Sequence, residues 1–242
     1  MQKKVSIKVL PSEAADNSKL LEILAQACAV KPSQITGHSI QKRSIDARSR
    51  KQVWIQLTVN VFIDEPFQKD DPGTLNLKDV HNAKRKVIVV GAGPAGLFAA
   101  IRLIELGIQP IVLERGKDVR ARRRDLAAIN KEGVMNPESN YCFGEGGAGT
   151  YSDGKLYTRS TKRGDVMKVL HTLVYFGADE RITYEAHPHI GTNKLPHIIT
   201  AIREKINECG GKVLFNHKVT DFIINGDEAK GVVVNGGEEI HA

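Results

Sequence analysis

Val87-Ile88-Val89-Val90-Gly91-Ala92-Gly93-Pro94-Ala95-Gly96, followed later by Ile111-Val112-Leu113-Glu114-Arg115, is the stretch whose reading decides the fold. A β-branched run leads into a glycine turn. An apolar helical pattern over residues 97–106 follows, and a second β-branched run ends in an acid. GxGxxG alone is a weak signal, because glycine is common. Here the strand before it and the helix after it are both present, which is the context a dinucleotide site requires. Gly91 permits the tight turn, Gly93 lets a pyrophosphate approach the backbone, and Gly96 lets helix pack on strand. The free N–H groups at the helix start favour an anion. Gly107 suits the helix end, where a positive φ is needed. Glu114 is placed to accept hydrogen bonds from ribose hydroxyls. It would repel a ribose phosphate, which argues against NADP here.

The chain of 242 residues is long enough for two ordinary domains or one large one. No run of about 18 apolar residues occurs, so no transmembrane helix is expected. No apolar segment follows Lys3 and Lys4 before Pro11, so no secretory signal is read. Cys28, Cys142 and Cys209 form no CxxC pair, which points to a reducing, cytoplasmic setting without disulfides or a zinc site. The net charge of +7 is uneven. Residues 1–86 carry 15 basic and 9 acidic side chains, whereas residues 87–242 carry 20 and 19.

Residues 1–65 read as a separate small α+β domain of β-α-β-β order. Val5 to Leu10 alternates as a strand. A helix follows, capped by Ser12 or Asp16 and carrying Leu20, Leu21, Ile23, Leu24 and Ala27. Residues 35–45 and 51–63 are further strands, the latter with strict alternation from Val53 to Ile63. Residues 66–85 are polar, include Asp70-Asp71, and run into Lys84-Arg85-Lys86; they read as a linker. Residues 86–242 form the nucleotide domain. Helices are expected over residues 120–130, 165–176 and 195–209, and strands over 212–215, 219–224 and 231–234. A glycine-rich loop spans residues 136–154.

The strings Gly91-Ala-Gly-Pro-Ala-Gly96, Glu114-Arg115-Gly116 and Phe143-Gly-Glu-Gly-Gly-Ala-Gly-Thr-Tyr-Ser-Asp-Gly-Lys-Leu156 together resemble uncharacterised bacterial FAD-dependent dehydrogenases. These are two-dinucleotide-fold flavoproteins similar to the glutathione reductase and fumarate reductase lineages. Ser44-Ile-Asp-Ala-Arg48 and His187-Pro-His-Ile-Gly-Thr192 fit the same resemblance. It implies a Rossmann-like α/β fold that binds FAD, with NAD(P)H as an electron donor. It implies that Gly91, Gly93, Pro94, Ala95 and Gly96 face the pyrophosphate, that Glu114 holds the adenosine ribose and that Arg115 flanks the adenine. Arg122 would lie near the phosphates or ribose. Gly146, Gly147 and Ala148 would pass close to the flavin or its ribityl chain, and Val219 would contact adenine through its backbone. In such flavoproteins a further apolar strand and a Gly-Asp segment follow, so the fold is expected to be C-terminally incomplete.

The residues support parts of this independently. The glycines of residues 144–149 let backbone amides approach a planar ring or an anion, although a plain surface loop has the same composition. Arg120, Arg122, Arg123 and Arg124 could neutralise a diphosphate or simply form a solvated face. Ser152, Asp153 and Lys155 follow the loop directly. A cation near the flavin pyrimidine would stabilise the reduced ring, which makes Lys155 a catalytic candidate beside Asp153 and His189. His187, His189 and His197 lack a supporting metal-ligand motif. No GxSxG or P-loop is present. The expectation is therefore an FAD-dependent oxidoreductase acting on a small molecule of unknown identity. A second reading makes the basic residues 1–65, with Lys42-Arg43, Arg48 and Arg50-Lys51, a module for nucleic acid or a protein partner. Against it, aromatic residues for base stacking are few.

Overall fold

The computed structural model describes residues 1–68, 75–160 and 164–242. The expected linker lies partly outside the described residues, as do Asp70 and Asp71. In chain order the elements are β1 (Gln2–Val9), α1 (Pro11–Ala14), α2 (Asn17–Cys28), β2 (Ile35–Asp46), β3 (Trp54–Ile63), β4 (Lys86–Val90), α3 (Pro94–Glu105), β5 (Gln109–Glu114), α4 (Val119–Glu132), α5 (Val166–Tyr175), α6 (Leu195–Glu208), β6 (Lys212–Phe215), β7 (Val219–Asn225), β8 (Glu228–Val234) and β9 (Glu238–His241). The chain divides into two compact units, each taken by itself.

The first unit holds residues 1–74, 155–174 and 179–189. Its sheet has the antiparallel order β1-β3-β2. Alternation decides which face is covered. Val9, Ile55, Leu57, Val59, Val61 and Ile63 point one way and meet Leu20, Leu24 and Cys28 of α2. Asp16 caps α2 by accepting from the Ser18 and Lys19 N–H groups. Residues 155–174 and 179–189, which the sequence reading groups with residues 86–242, cluster with this unit. The tie is local: the Arg43 N–H donates to Tyr184 O, Ala186 N–H donates to Arg43 O, and the Arg43 guanidinium pairs with Glu185.

The second unit carries a parallel sheet of order β4-β5-β6. The central strand β5 is buried along its whole length, as a strand covered on both faces must be. Helix α3 packs on β4 and β5, and α6 packs on α3 and β6. The antiparallel meander β7-β8-β9 supplies the other layer, where Val232 and Val234 meet Ile111 and Leu113. This is a Rossmann-like arrangement with β4 at the sheet edge, where Val87 and Val90 are exposed. Strand β9 was not read from the sequence, because Glu238-Glu239-Ile240-His241 offers one apolar residue and no alternation signal.

Residues 75–85 do not behave as a linker. Val80 is fully buried, its N–H donates to Cys209 O at 2.7 Å, and Gln109 N–H donates to Arg85 O. Leu75 and Leu77 are half-buried, and Val80 is the fully buried anchor of this segment in the second unit.

Candidate functional site

Strands β4 and β5 run parallel and end side by side, so their carboxyl ends open one crevice. It measures about 340 Å³, at the small end of small-molecule clefts. Gly91, Gly93, Glu114, Arg115, Gly147 and Val219 line it together with Phe143, Cys142, His217 and Lys218.

The glycine turn is set by need rather than composition. Gly91 sits at φ 95°, a left-handed conformation that side chains avoid, and its N–H donates to Leu113 O at 2.7 Å. A Cβ at Gly96 would stand 2.0 Å from the Gly91 carbonyl oxygen, so helix α3 can approach β4 this closely only with glycine there. Added Cβ atoms at Gly91 and Gly93 would instead meet open space, on the side where the crevice lies. Pro94 opens α3 at N1, where its missing N–H costs nothing.

Glu114 ends β5 and is only 5% exposed. Its carboxylate accepts from the Ala92 and Gly116 N–H groups, each at 2.8 Å, and from the Gly144 N–H at 3.0 Å. A carboxylate offers about four acceptor positions. Three are taken by the protein backbone, which leaves one for a ribose hydroxyl. The acid therefore ties the glycine turn, its own strand end and the second glycine loop to one point.

Arg115 turns outward beside it. Its guanidinium lies over the Phe143 ring at 3.9 Å and binds Glu138, which also accepts from Lys218 at 2.9 Å. These two cations hold the Glu138 carboxyl below its ordinary range. The trio leaves one net positive charge beside a planar cation–aromatic stack. Such a platform suits a nucleobase and a phosphate.

Arg122, expected near the phosphates or ribose, is bonded within the protein. It is fully buried and does not line the crevice. Its guanidinium donates to Asn140 O, Tyr141 O, Glu145 O and Gly147 O at 2.7–3.0 Å, and to the Thr150 hydroxyl at 3.1 Å. Burial pulls its pKa down, and the nearby Tyr151, Glu114 and Glu145 oppose that shift. These bonds make the residue an internal scaffold of the loop over residues 140–150. Glu145 belongs to the same scaffold. One of its oxygens accepts from the Val119 N–H at 2.7 Å and pairs with Arg203 at 3.3 Å. The other has no partner among the described residues, and burial pushes the carboxyl up.

The remaining sequence candidates are spread out. Pro94, Ala95 and Gly96 lie in the first turn of α3 and do not line the crevice. Gly146 is buried and its N–H donates to Ala92 O, which ties the two glycine loops together. Ala148 is exposed in a short 3-10 turn. Lys155 and His189 face each other across an isolated antiparallel bridge in the first unit. The Asp153 carbonyl accepts from the Gly191 N–H in the second. None of these three lines the crevice. Phe143, Glu138 and Lys218 were missed by sequence reading. Their signals were faint: an aromatic just before the loop, and a lysine just before Val219.

A parallel sheet with a glycine turn, an acid at the tip of the second strand and a meander as third layer defines a dinucleotide-binding flavoprotein domain. The comparisons agree. Residues 84–242 match the FAD binding domain family, and the chain belongs to it. Its cofactor is FAD. Residues 1–62 match a domain of unknown function. An uncharacterized protein of Clostridium beijerinckii is 39% identical over 210 residues, covering 81% of this chain and 39% of its own length. The thiamine thiazole synthase of Aeropyrum pernix is 29% identical over 150 residues, covering 62% of this chain and 43% of its own. The chain thus spans about two fifths of the length of these curated relatives. Among solved structures, FqzB aligns with 17% identity and a TM-score of 0.35, over 69% of this chain and 36% of that one.

The residues present fit the adenosine half of FAD. The open space beside Gly91 and Gly93, the free acceptor position on Glu114 and the Arg115–Phe143 stack supply, in order, room for a pyrophosphate, a ribose partner and a base platform.

Proposed function

We propose that the protein is an FAD-dependent oxidoreductase of the dehydrogenase type, acting on a small molecule. The observation that carries this reading is the crevice at the ends of β4 and β5, closed by a three-way bonded Glu114. Bound FAD would supply the electron-accepting ring. The chain's own residues would do the holding. Backbone at Gly91 and Gly93 would face the pyrophosphate, Glu114 would accept one ribose hydroxyl, and Arg115 with Phe143 would carry the adenine. Val219, at the start of β7, would meet the base edge through its backbone. Lys155, Asp153 and His189 stay as candidates for polar groups near the ring, and NAD(P)H as the electron donor. Residues 1–65 are proposed as a small domain of β-α-β-β order preceding the flavin fold. The specific family remains that of the uncharacterised bacterial dehydrogenases. No helix among the described residues is long and apolar enough to cross a membrane. The three cysteines are unpaired, which supports a cytoplasmic setting.

The test is reconstitution of the purified chain with excess FAD, followed by gel filtration, a visible spectrum and a thermal melt. A yellow protein whose released cofactor is FAD and whose Tm rises with FAD supports the reading. Absence of both bound flavin and a thermal shift overturns it for this chain.

A further inference from the structure

The first unit carries a second concavity that the flavin chemistry does not use. The covered face of its sheet meets α2; the opposite face is polar at its centre, with Trp54 at one end of β3 and Phe62 packed under Phe67 at the other. Register places Ser6, Thr58 and Lys42 in one row across β1, β3 and β2, and Lys8, Gln56 and Ser44 in the next. These six side chains, with Ile7 and Leu57, line a hollow of about 300 Å³.

Its chemistry is one-sided. The lining holds two ammonium groups, three hydroxyls and one amide, with no carboxylate. Lys42 has no anionic partner among the described residues. Lys8 is only loosely paired, 3.7 Å from Asp46, and lies 5.0 Å from the Trp54 ring centroid. Asp46 stands one row beyond the hollow, and Arg48 forks onto both of its oxygens. Gln56 also donates to Asp46 at 3.3 Å, so the Lys8 end of the hollow is shared with that carboxylate and the Lys42 end carries the uncompensated positive charge. The Ser6 and Thr58 hydroxyls are 3.3 Å apart. Their mutual bond uses one of two O–H protons and leaves the other free to donate. Two cations and a spare hydroxyl proton lining one hollow are the donors a tetrahedral oxyanion needs.

We propose that this hollow binds a phosphoryl group, with Lys42 and Lys8 as charged donors and Thr58–Ser6 as the hydroxyl donor. The centre of the open face presents Gln56, Thr58 and Asn60 where a single-stranded nucleic acid would need aromatic platforms. That favours a small phosphate monoester or free phosphate over a polynucleotide. Trp54, at the end of the hollow beyond Lys8, gives room for an apolar substituent on the ester.

Trp54 is the only tryptophan, so its fluorescence reports the site directly. The full chain is titrated with inorganic phosphate, with phenyl phosphate, and with sodium chloride at matched ionic strength. The expected result is a saturable change with both phosphates and none with chloride. Tighter binding of phenyl phosphate assigns the site to esters; equal affinity assigns it to the free anion, and both support the phosphoryl assignment. Lys42→Gln should weaken binding about tenfold, as loss of one charge-assisted bond does. Thr58→Val, a substitution that suits a strand, should weaken it several-fold, and Lys31→Gln, at an exposed lysine between α2 and β2 that does not line the hollow, should leave it unchanged. No saturable change, the same change with chloride, or unaltered binding in Lys42→Gln overturns the proposal. Displacement of phosphate by a uridine oligonucleotide that binds more tightly also overturns it, in favour of nucleic acid.

Discussion

Replacing Arg122 by Met removes the buried cation while keeping an unbranched side chain on α4. The cost follows from what the loop loses. The Glu145 carbonyl also accepts from the Thr150 hydroxyl and the Gly147 carbonyl from the Thr150 N–H, so each keeps a partner. The Asn140 and Tyr141 carbonyls have only Arg122 as a hydrogen-bond partner among the described residues. A stranded buried carbonyl costs about 1–3 kcal/mol. Tyr141 is 48% exposed, so water can replace part of its loss. The expected destabilisation is therefore about 3–4 kcal/mol. For a chain of this size that corresponds to roughly 6–16 °C in Tm. Differential scanning calorimetry of the wild type, Arg122→Met and Arg122→Lys measures it. The lysine variant should fall between the other two, because one ammonium reaches fewer carbonyls than a guanidinium fork. A Tm of Arg122→Met within about 2 °C of wild type would refute the scaffold argument. An unchanged Tm with abolished FAD binding would return Arg122 to the role of phosphate ligand.

Three further outcomes are expected. Glu114→Gln places an amide where backbone N–H groups now donate, so at least one loses its acceptor; FAD affinity, followed by flavin fluorescence titration, should drop about tenfold or more, and an unchanged Kd would contradict the assignment. Gly96→Ala drives a methyl to 2.0 Å from the Gly91 carbonyl oxygen, which must displace α3 or the turn; a Tm loss of several degrees is expected by calorimetry, and a neutral result would show that the helix sits farther from the strand. Glu138 has its carboxyl lowered by Lys218 and Arg115 in the folded state. A lowered acid contributes stability above its unfolded value of about 4.3, and that stability is lost as pH falls through this range. Urea midpoints between about pH 6 and pH 3 should therefore decline less steeply in Glu138→Gln than in the wild type, whereas parallel curves would remove this contribution.

The strand–turn–helix–strand core was legible because each of its requirements is local. Gly91 needs a positive φ, Gly96 faces a carbonyl, and the β-branched runs at residues 87–90 and 111–113 name their own strands. What escaped depends on segments distant in the chain. The helical period puts Arg122 on a face of α4, but nothing local says that residues 140–150 return to wrap that face. Leu75, Leu77 and Val80 are the large apolar residues of an otherwise polar run, and only Val80 is fully buried, which is too little to leave a periodicity. The Arg115–Phe143 stack joins residues 28 apart in sequence, so neither residue announces the other.

The hydrogen bond between Glu114 and the Gly144 N–H closes a loop of 30 residues. Closing such a loop costs on the order of 3 kcal/mol in chain entropy. The bond joins two groups of the chain itself, so that cost belongs to folding. An incoming nucleotide then finds walls already in position and has no long segment to order. Its affinity is not diminished by a rare binding-competent state, and its arrival should be limited by diffusion and fit rather than by a conformational change.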